Sequence, residues 1–405
     1  MTRWLTAVCG WAIGSFAAGT AWAQAGTLPQ HTIRHQAIAE RIVAQLQLQP
    51  GERVISVAMP GYMNEFIPHI RYAVMQAGGV DLGVIDVLRT PYAEGFDRKT
   101  LQQGLEAARD EYVKLLADVE VGIMLPGTNP AHPAYKAFQI LLETAKGPRR
   151  TIHFHWTDPY GPLGNDLGLS GITVLPGQPP PAMQTVDDIY QRAILDTDYG
   201  ALADQQQRFT AAMRKGPVRI TTPDGTDLAF RIGERHVIRQ DGDASAARMR
   251  AAPTILDREV EIPPGVIRVA PLEDTVDGVI AFPPSRWNGQ TVWGLKLAFR
   301  QGKIVDIAAE RGVEHARAEL DRQPESVRVF REFGLGFNPH LAVPAKDPWI
   351  PYYGYGAGVV RLGIGTNTEV GGAVPGTYYR WRDLFTDSTI TAGGEVWVKD
   401  GKIVR

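Results

Sequence analysis

The chain has 405 residues, 44% hydrophobic and 21% charged, with a formal net charge of −2 at neutral pH. This composition excludes a disordered chain or a coiled coil, and the length points to two domains rather than one core. With no basic field, neither nucleic acid nor an anionic membrane surface is expected as a partner.

The opening stretch MTRWLTAVCGWAIGSFAAGTAWAQ carries one early cation, Arg3, then an apolar run closing on Ala21-Trp22-Ala23. This is the pattern of a secretory signal peptide cleaved after Ala23, so residues 1–23 are expected to be a leader and the protein periplasmic or secreted. The single cysteine, Cys9, falls inside that leader, so the mature chain is expected to hold no disulfide and no cysteine–zinc site. No later segment is apolar for long enough to cross a membrane.

Helix and strand signals then alternate. HQAIAERIVAQLQL has apolar residues at helical spacing, ERVISVAMP is a short strand, and FIPHIRYAVMQAGG is a helix ending on glycines. VDLGVIDVL, VEVGIMLPG and RRTIHFHW read as three more strands, separated by helices over 100–118 and 134–146. The alternation predicts an α/β domain with a mostly parallel sheet over residues 24–183. Loops leaving the carboxyl ends of such strands line the ligand crevice, and here they carry His132, His155 and Asp158. In TIHFHW, His153 and His155 stand two apart and share one face of a strand. With a nearby carboxylate they are a candidate metal half-site; ordinary packing is the competing reading.

A proline-rich joint, PGQPPPAM, precedes a helix expected over 184–214. Residues 215–405 then read as a β-rich α+β domain: VRITTPDGTDLAFRIG folds around a D-G turn, and VIRVAP, DGVIAFP, TVWGLKLAF and GKIVDIAAE are further strands. The stretches DPWIPYYGYGAG and TYYRWRDLF offer aromatic rings and arginines for an anionic ligand, or else an aromatic belt at a dimer interface. Neither a G-x-S-x-G elbow nor a phosphate loop occurs.

Four stretches carry a family likeness: VRITTPDGTDLAFRIGER, IPPGVIRVAPLEDTVDGVI, FREFGLGFNP and GVVRLGIGTNTEVGG. In order and spacing they resemble the thermophilic metalloaminopeptidases of the aminopeptidase T and aminopeptidase S type, over most of 184–405. The resemblance implies an α/β N-terminal domain, a β-rich C-terminal domain of the metalloaminopeptidase type holding two divalent metal ions, and a homodimer acting on peptides. Carried across one position at a time, the first metal-binding glutamate falls on Val266 and the second on Glu332. The family's histidine falls on Arg361, its tyrosine on Thr368, and its closing His-x-Asp within TYYRWRD, where Asp383 is the available carboxylate.

Valine offers no lone pair, and arginine stays cationic, so neither binds a dication. The inherited two-metal centre is therefore expected to be degraded, with the cofactor undetermined. A Glu332–Arg361 ion pair is expected to replace the missing charge, because a buried carboxylate without a counter-charge is costly. Three functions compete. One is a hydrolase of the aminopeptidase T lineage. The second is a metal-free binding protein or repurposed enzyme using Glu332, Arg361 and Asp383 on a small molecule or peptide. The third is a mononuclear iron ring-cleaving dioxygenase, which resembles the same fold but needs two histidines and a carboxylate in the second domain. A rebuilt metal site would draw on His153, His155 and His340.

Overall fold

The computed structural model describes residues 33–88, 92–145, 147–156, 172–175 and 177–405. The expected leader and Asp158 lie outside the described residues.

Helix α1 (His35–Leu46) buries Ile38, Ala39, Ile42, Val43 and Leu46, which recur at helical spacing. Helix α2 (Ile67–Gln76) carries Pro68 in its first turn, where a missing N–H costs nothing. Strands β1 (Arg53–Ala58), β2 (Val80–Asp86), β3 (Val121–Met124) and β4 (Arg150–Phe154) pair in parallel in the order β2-β1-β3-β4. β1 and β3 are almost wholly buried, as strands covered on both faces must be. Helices α3 (Arg98–Leu115) and α4 (Pro133–Glu143) serve one face, where Tyr135 and Phe138 pack near Val57 and Met124. On the other face α1, α2 and α5 (Met183–Leu195) pack through Ile42, Ile70 and Ile189.

The parallel sheet gains a fifth strand from far along the chain. β5 (Glu259–Ile262) pairs in parallel with β4 and sets Glu261 beside His153. Sequence pattern grouped these residues with the β-rich half; EVEI is too short and too mixed in polarity to declare its partner.

The helix expected over 184–214 is two helices, α5 and α6 (Tyr199–Lys215). The break has a local cause. The Thr197 hydroxyl donates back to the Ala193 carbonyl, and the Asp198 carboxylate caps the new helix by accepting from the Ala201 N–H.

The second half holds two antiparallel sheets. One has Ile238–Arg239, β6 (Val266–Val269), β7 (Phe330–Gly336), β8 (Val360–Gly365) and β9 (Tyr379–Phe385), in that order. The other has eight strands, and the core shared with it holds Phe230, Phe333, Leu335, Val360, Leu362 and Trp397. Alternation along β6, β7 and β8 then turns Val266, Arg268, Glu332, Gly334 and Arg361 to the opposite face. A parallel α/β part followed by a strand-rich part is the architecture the sequence predicted. Among the described residues no helix is long and apolar enough to cross a membrane.

Candidate functional site

On that opposite face Glu332 is fully buried, and Arg268 grips it. The Arg268 Nη2 donates at 2.8 and 3.2 Å to the two carboxylate oxygens, and Nε donates at 3.1 Å. Arg331 Nε lies 3.8 Å and Arg361 Nε 3.9 Å from the same carboxylate. Arg331 also pairs with Glu369 and donates to the Thr366 carbonyl, while Arg268 stands 3.9 Å from Glu369. Three guanidiniums thus face two carboxylates, leaving one cation in excess.

Glycines make the room. Gly334 lies across from Arg268 on one side and Arg361 on the other, and Gly363 lies across from Glu332. A Cβ added at Gly363 would stand 3.0 Å from Glu332 Cγ, and one at Gly334 3.3 Å from Arg361 Cβ.

Burial drives the Glu332 carboxyl up, but Arg268, Arg331 and Arg361 outweigh it and hold the group below its ordinary range. Burial, and then the neighbouring Arg268, lower the Arg361 guanidinium. Its Nε and Nη2 have no hydrogen-bond partner, and the group lies over the rings of Trp381 at 4.9 Å and Tyr355 at 5.9 Å. Trp381 also lines an open cleft of about 730 Å³ with Tyr379, Arg380, Asp383 and Arg286.

The expected Glu332–Arg361 pair is therefore present as the looser contact; Arg268, two residues beyond Val266, is the direct partner. Asp383 does not join them. It pairs across the sheet with Leu362, a core residue, and a register shift beyond that pair sets Arg380 opposite Ile364. From there it meets Arg380 at 3.3 Å, and Arg380 stacks on the buried Trp287. Asp383 thus lies on the other face from Glu332. Thr368 opens a short 3-10 turn, and Val266 packs among apolar side chains. These positions do not fit a pair of metal ions: one carboxylate already saturated by guanidinium cannot offset two dications.

A second constellation stands at the carboxyl end of β4 and β5. His153, His155 and Glu261 each offer a ligand atom, and these atoms lie within 4.8 Å of one another. His155 Nε2 is 2.6 Å from Glu261 Oε2. Tyr135 on α4 places its hydroxyl 2.8 Å from His153 Nδ1, and Tyr352 donates to Glu261. Burial, and then His155, push His153 down to about 3, so its imidazole is neutral at neutral pH. Burial raises Glu261, but His155, His153 and Tyr352 together bring it down to about 2. Two residues earlier, Glu259 is pushed by burial up to about 8, against the Gln139 hydrogen bond.

The sequence reading found both histidines but not Glu261, whose contribution depends on a strand from the other half. His340, the third expected ligand, sits in the turn Pro339–Leu341, where its N–H donates to the Asn338 side chain, and it is not part of this group. Aromatic rings join the two constellations: His155 to Tyr352 at 4.7 Å, Tyr352 to Tyr355 at 4.5 Å, and Tyr355 to Arg361.

Residues 198–339 match the family model described as thermophilic metalloprotease (M29). Over that stretch the chain is similar to this family, and aminopeptidase T proteins are among the relatives it matches. Aminopeptidase T of Thermus thermophilus is 31% identical over 143 residues, and that of Thermus aquaticus 31% over 144. Each alignment covers 35% of this chain and 30% of the relative, so the sequence match spans under a third of the curated proteins. The solved structure of wild-type AmpT from Thermus thermophilus superimposes with a TM-score of 0.58 at 17% identity, covering 92% of this chain and 99% of that one. A 2,5-dihydroxypyridine dioxygenase from Pseudomonas putida KT2440 gives 0.52 at 14% identity, covering 91% and 96%. Both structural matches speak for the fold. Of the positions that the resemblance assigned to metal ligands, Glu332 and Arg361 belong to the arginine cluster, and Val266, Thr368 and Asp383 do not.

Proposed function

We propose that this is an exported aminopeptidase T-type protein that does not hydrolyse peptides with two metal ions. In this reading the Glu332–arginine cluster replaces the dinuclear centre, and the tract from Arg361 to the Trp381 cleft binds a small molecule or peptide through its carboxylate. One observation carries the reading: Arg268, Arg331 and Arg361 surround Glu332 at 2.8–3.9 Å, and Arg361 keeps two buried donors unused. A buried, weakly hydrated guanidinium between aromatic rings is suited to a planar anion. Export rests on the leader pattern, and a homodimer on the family resemblance.

The test has two arms on the full chain. Leucyl-anilide hydrolysis is measured with zinc(II), cobalt(II) and manganese(II), and no turnover above the metal-only blank is expected. Thermal unfolding is followed with free amino acids, dipeptides and aromatic carboxylates. A carboxylate that raises the midpoint in wild type but not in Arg361→Gln supports the reading. Metal-dependent peptidase turnover that Glu332→Gln abolishes overturns it.

A further inference from the structure

The arginine cluster leaves the second constellation unexplained. His153, His155 and Glu261 come from two strands brought together only by the long-range β4–β5 pairing, and they converge where parallel sheets place ligands. We propose that His153, His155 and Glu261 bind one first-row divalent metal ion, with zinc(II) as the reference case, at a site in the α/β half distinct from the position of the Glu332 cluster.

Two imidazoles and a carboxylate are the three protein ligands of a zinc centre that keeps a fourth position open. The His155 and Glu261 side chains retain 18% and 21% of their exposure, so an ion and a fourth ligand can reach them. Surrounding groups hold the ligands as metal sites require. Tyr135 fixes the His153 ring, and Tyr352 fixes the Glu261 carboxylate.

Tyr352 and its neighbour Tyr353 both adopt left-handed backbone, with φ of 30° and 47°. Such strain persists only where the surroundings demand it. Here it turns Tyr352 onto the carboxylate and sets both rings beside His155, at 4.7 and 6.0 Å. His155 Nε2 and Glu261 Oε2 stand 2.6 Å apart. Tetrahedral ligation with bonds of about 2.0 Å needs them about 3.3 Å apart. For this pair a side-chain shift of under an ångström reaches that spacing.

The proposal goes beyond the anion-binding reading and stands or falls separately. The full chain is stripped with chelator, dialysed against micromolar zinc(II), and its zinc counted per chain by elemental mass spectrometry. One zinc per chain is expected. His155→Ala and the isosteric Glu261→Gln should each weaken binding at least tenfold, Tyr352→Phe about tenfold, and His340→Ala not at all. Circular dichroism of Glu261→Gln checks that the fold is kept, and cobalt(II) absorption, present in wild type and lost in His155→Ala, reads imidazole ligation directly. Absence of stoichiometric zinc, or zinc retained unchanged in both His155→Ala and Glu261→Gln, overturns the site. Zinc lost only in Glu332→Gln would do so too, and would sink the anion-binding reading with it.

Discussion

Arg268 and Arg361 flank Gly334 in one row across three strands, and both lean on Glu332, yet only Arg268 bonds to it. Each arginine sits on a strand adjoining β7, diagonal to the carboxylate. Arg268 spends its fork on two oxygens, whereas Arg361 is left with unused donors between Tyr355 and Trp381. The two guanidiniums therefore have different consequences when removed.

Arg268→Met should cost roughly 3 kcal/mol of stability, because deleting one partner of a buried pair strands the other charge. Arg331 and Arg361, at 3.8 and 3.9 Å, keep the loss at the lower end of the usual range. Urea unfolding reads the effect. The double variant Arg268→Met/Glu332→Leu should recover part of it, and a double variant as unstable as the sum of the singles would argue against direct coupling.

Arg361→Met should behave in the opposite way. It removes an under-partnered buried cation and leaves Arg268 and Arg331 balanced against Glu332 and Glu369. Stability should stay within about 1 kcal/mol of wild type or rise, since apolar replacement of buried charge is often neutral or favourable. Carboxylate binding should vanish in the same variant. A large loss of stability in Arg361→Met would make this arginine structural and remove the argument for a ligand.

Gly363→Ala tests the space instead of the charge. Its Cβ would meet the Arg380 carbonyl oxygen at 2.9 Å and Glu332 Cγ at 3.0 Å, and backbone cannot swing aside as a flexible side chain can. A loss of about 2 kcal/mol is expected, within the range for overpacked cores. Because the clash pushes on Glu332, Arg268→Met should cost less in the Gly363→Ala background than alone. Additive losses would place the strain elsewhere.

Much of this was legible in the chain, and the failures share a cause. Periodicity found the parallel strands and the histidine pair because those signals are local. The residues at Val266 and Arg361 carried the expectation of a degraded metal centre. Arg268 was also within reach, since alternation in VIRV places it on the same face as Val266. Glu261 was not, because its strand pairs with one more than a hundred residues earlier, and nothing in EVEI encodes that partner. The face that Asp383 takes was not legible either, because a register shift in β9, which composition does not mark, lies two residues from its partner Leu362.

The last prediction concerns pH. His132 is buried at the start of α4, and its Nδ1 accepts from the Asn129 N–H at 3.1 Å, while Nε2 has no partner. Burial pushes it down to about 4, and the positive end of the helix acts in the same direction. A folded pKa below the unfolded value means that the unfolded chain binds the proton first. The stability is therefore fully present above about 6.5 and is lost as pH falls from there toward 4. A drop of roughly 3 kcal/mol across that window follows from the size of the shift. His132→Asn keeps a residue suited to capping the helix but carries no titrating group. Chemical unfolding at pH 7.5 and pH 4 should therefore show a smaller acid loss in the variant than in wild type. Equal acid losses in the two proteins would show that His132 is solvated enough to charge freely, and would move the acid sensitivity to the carboxylates around Glu332.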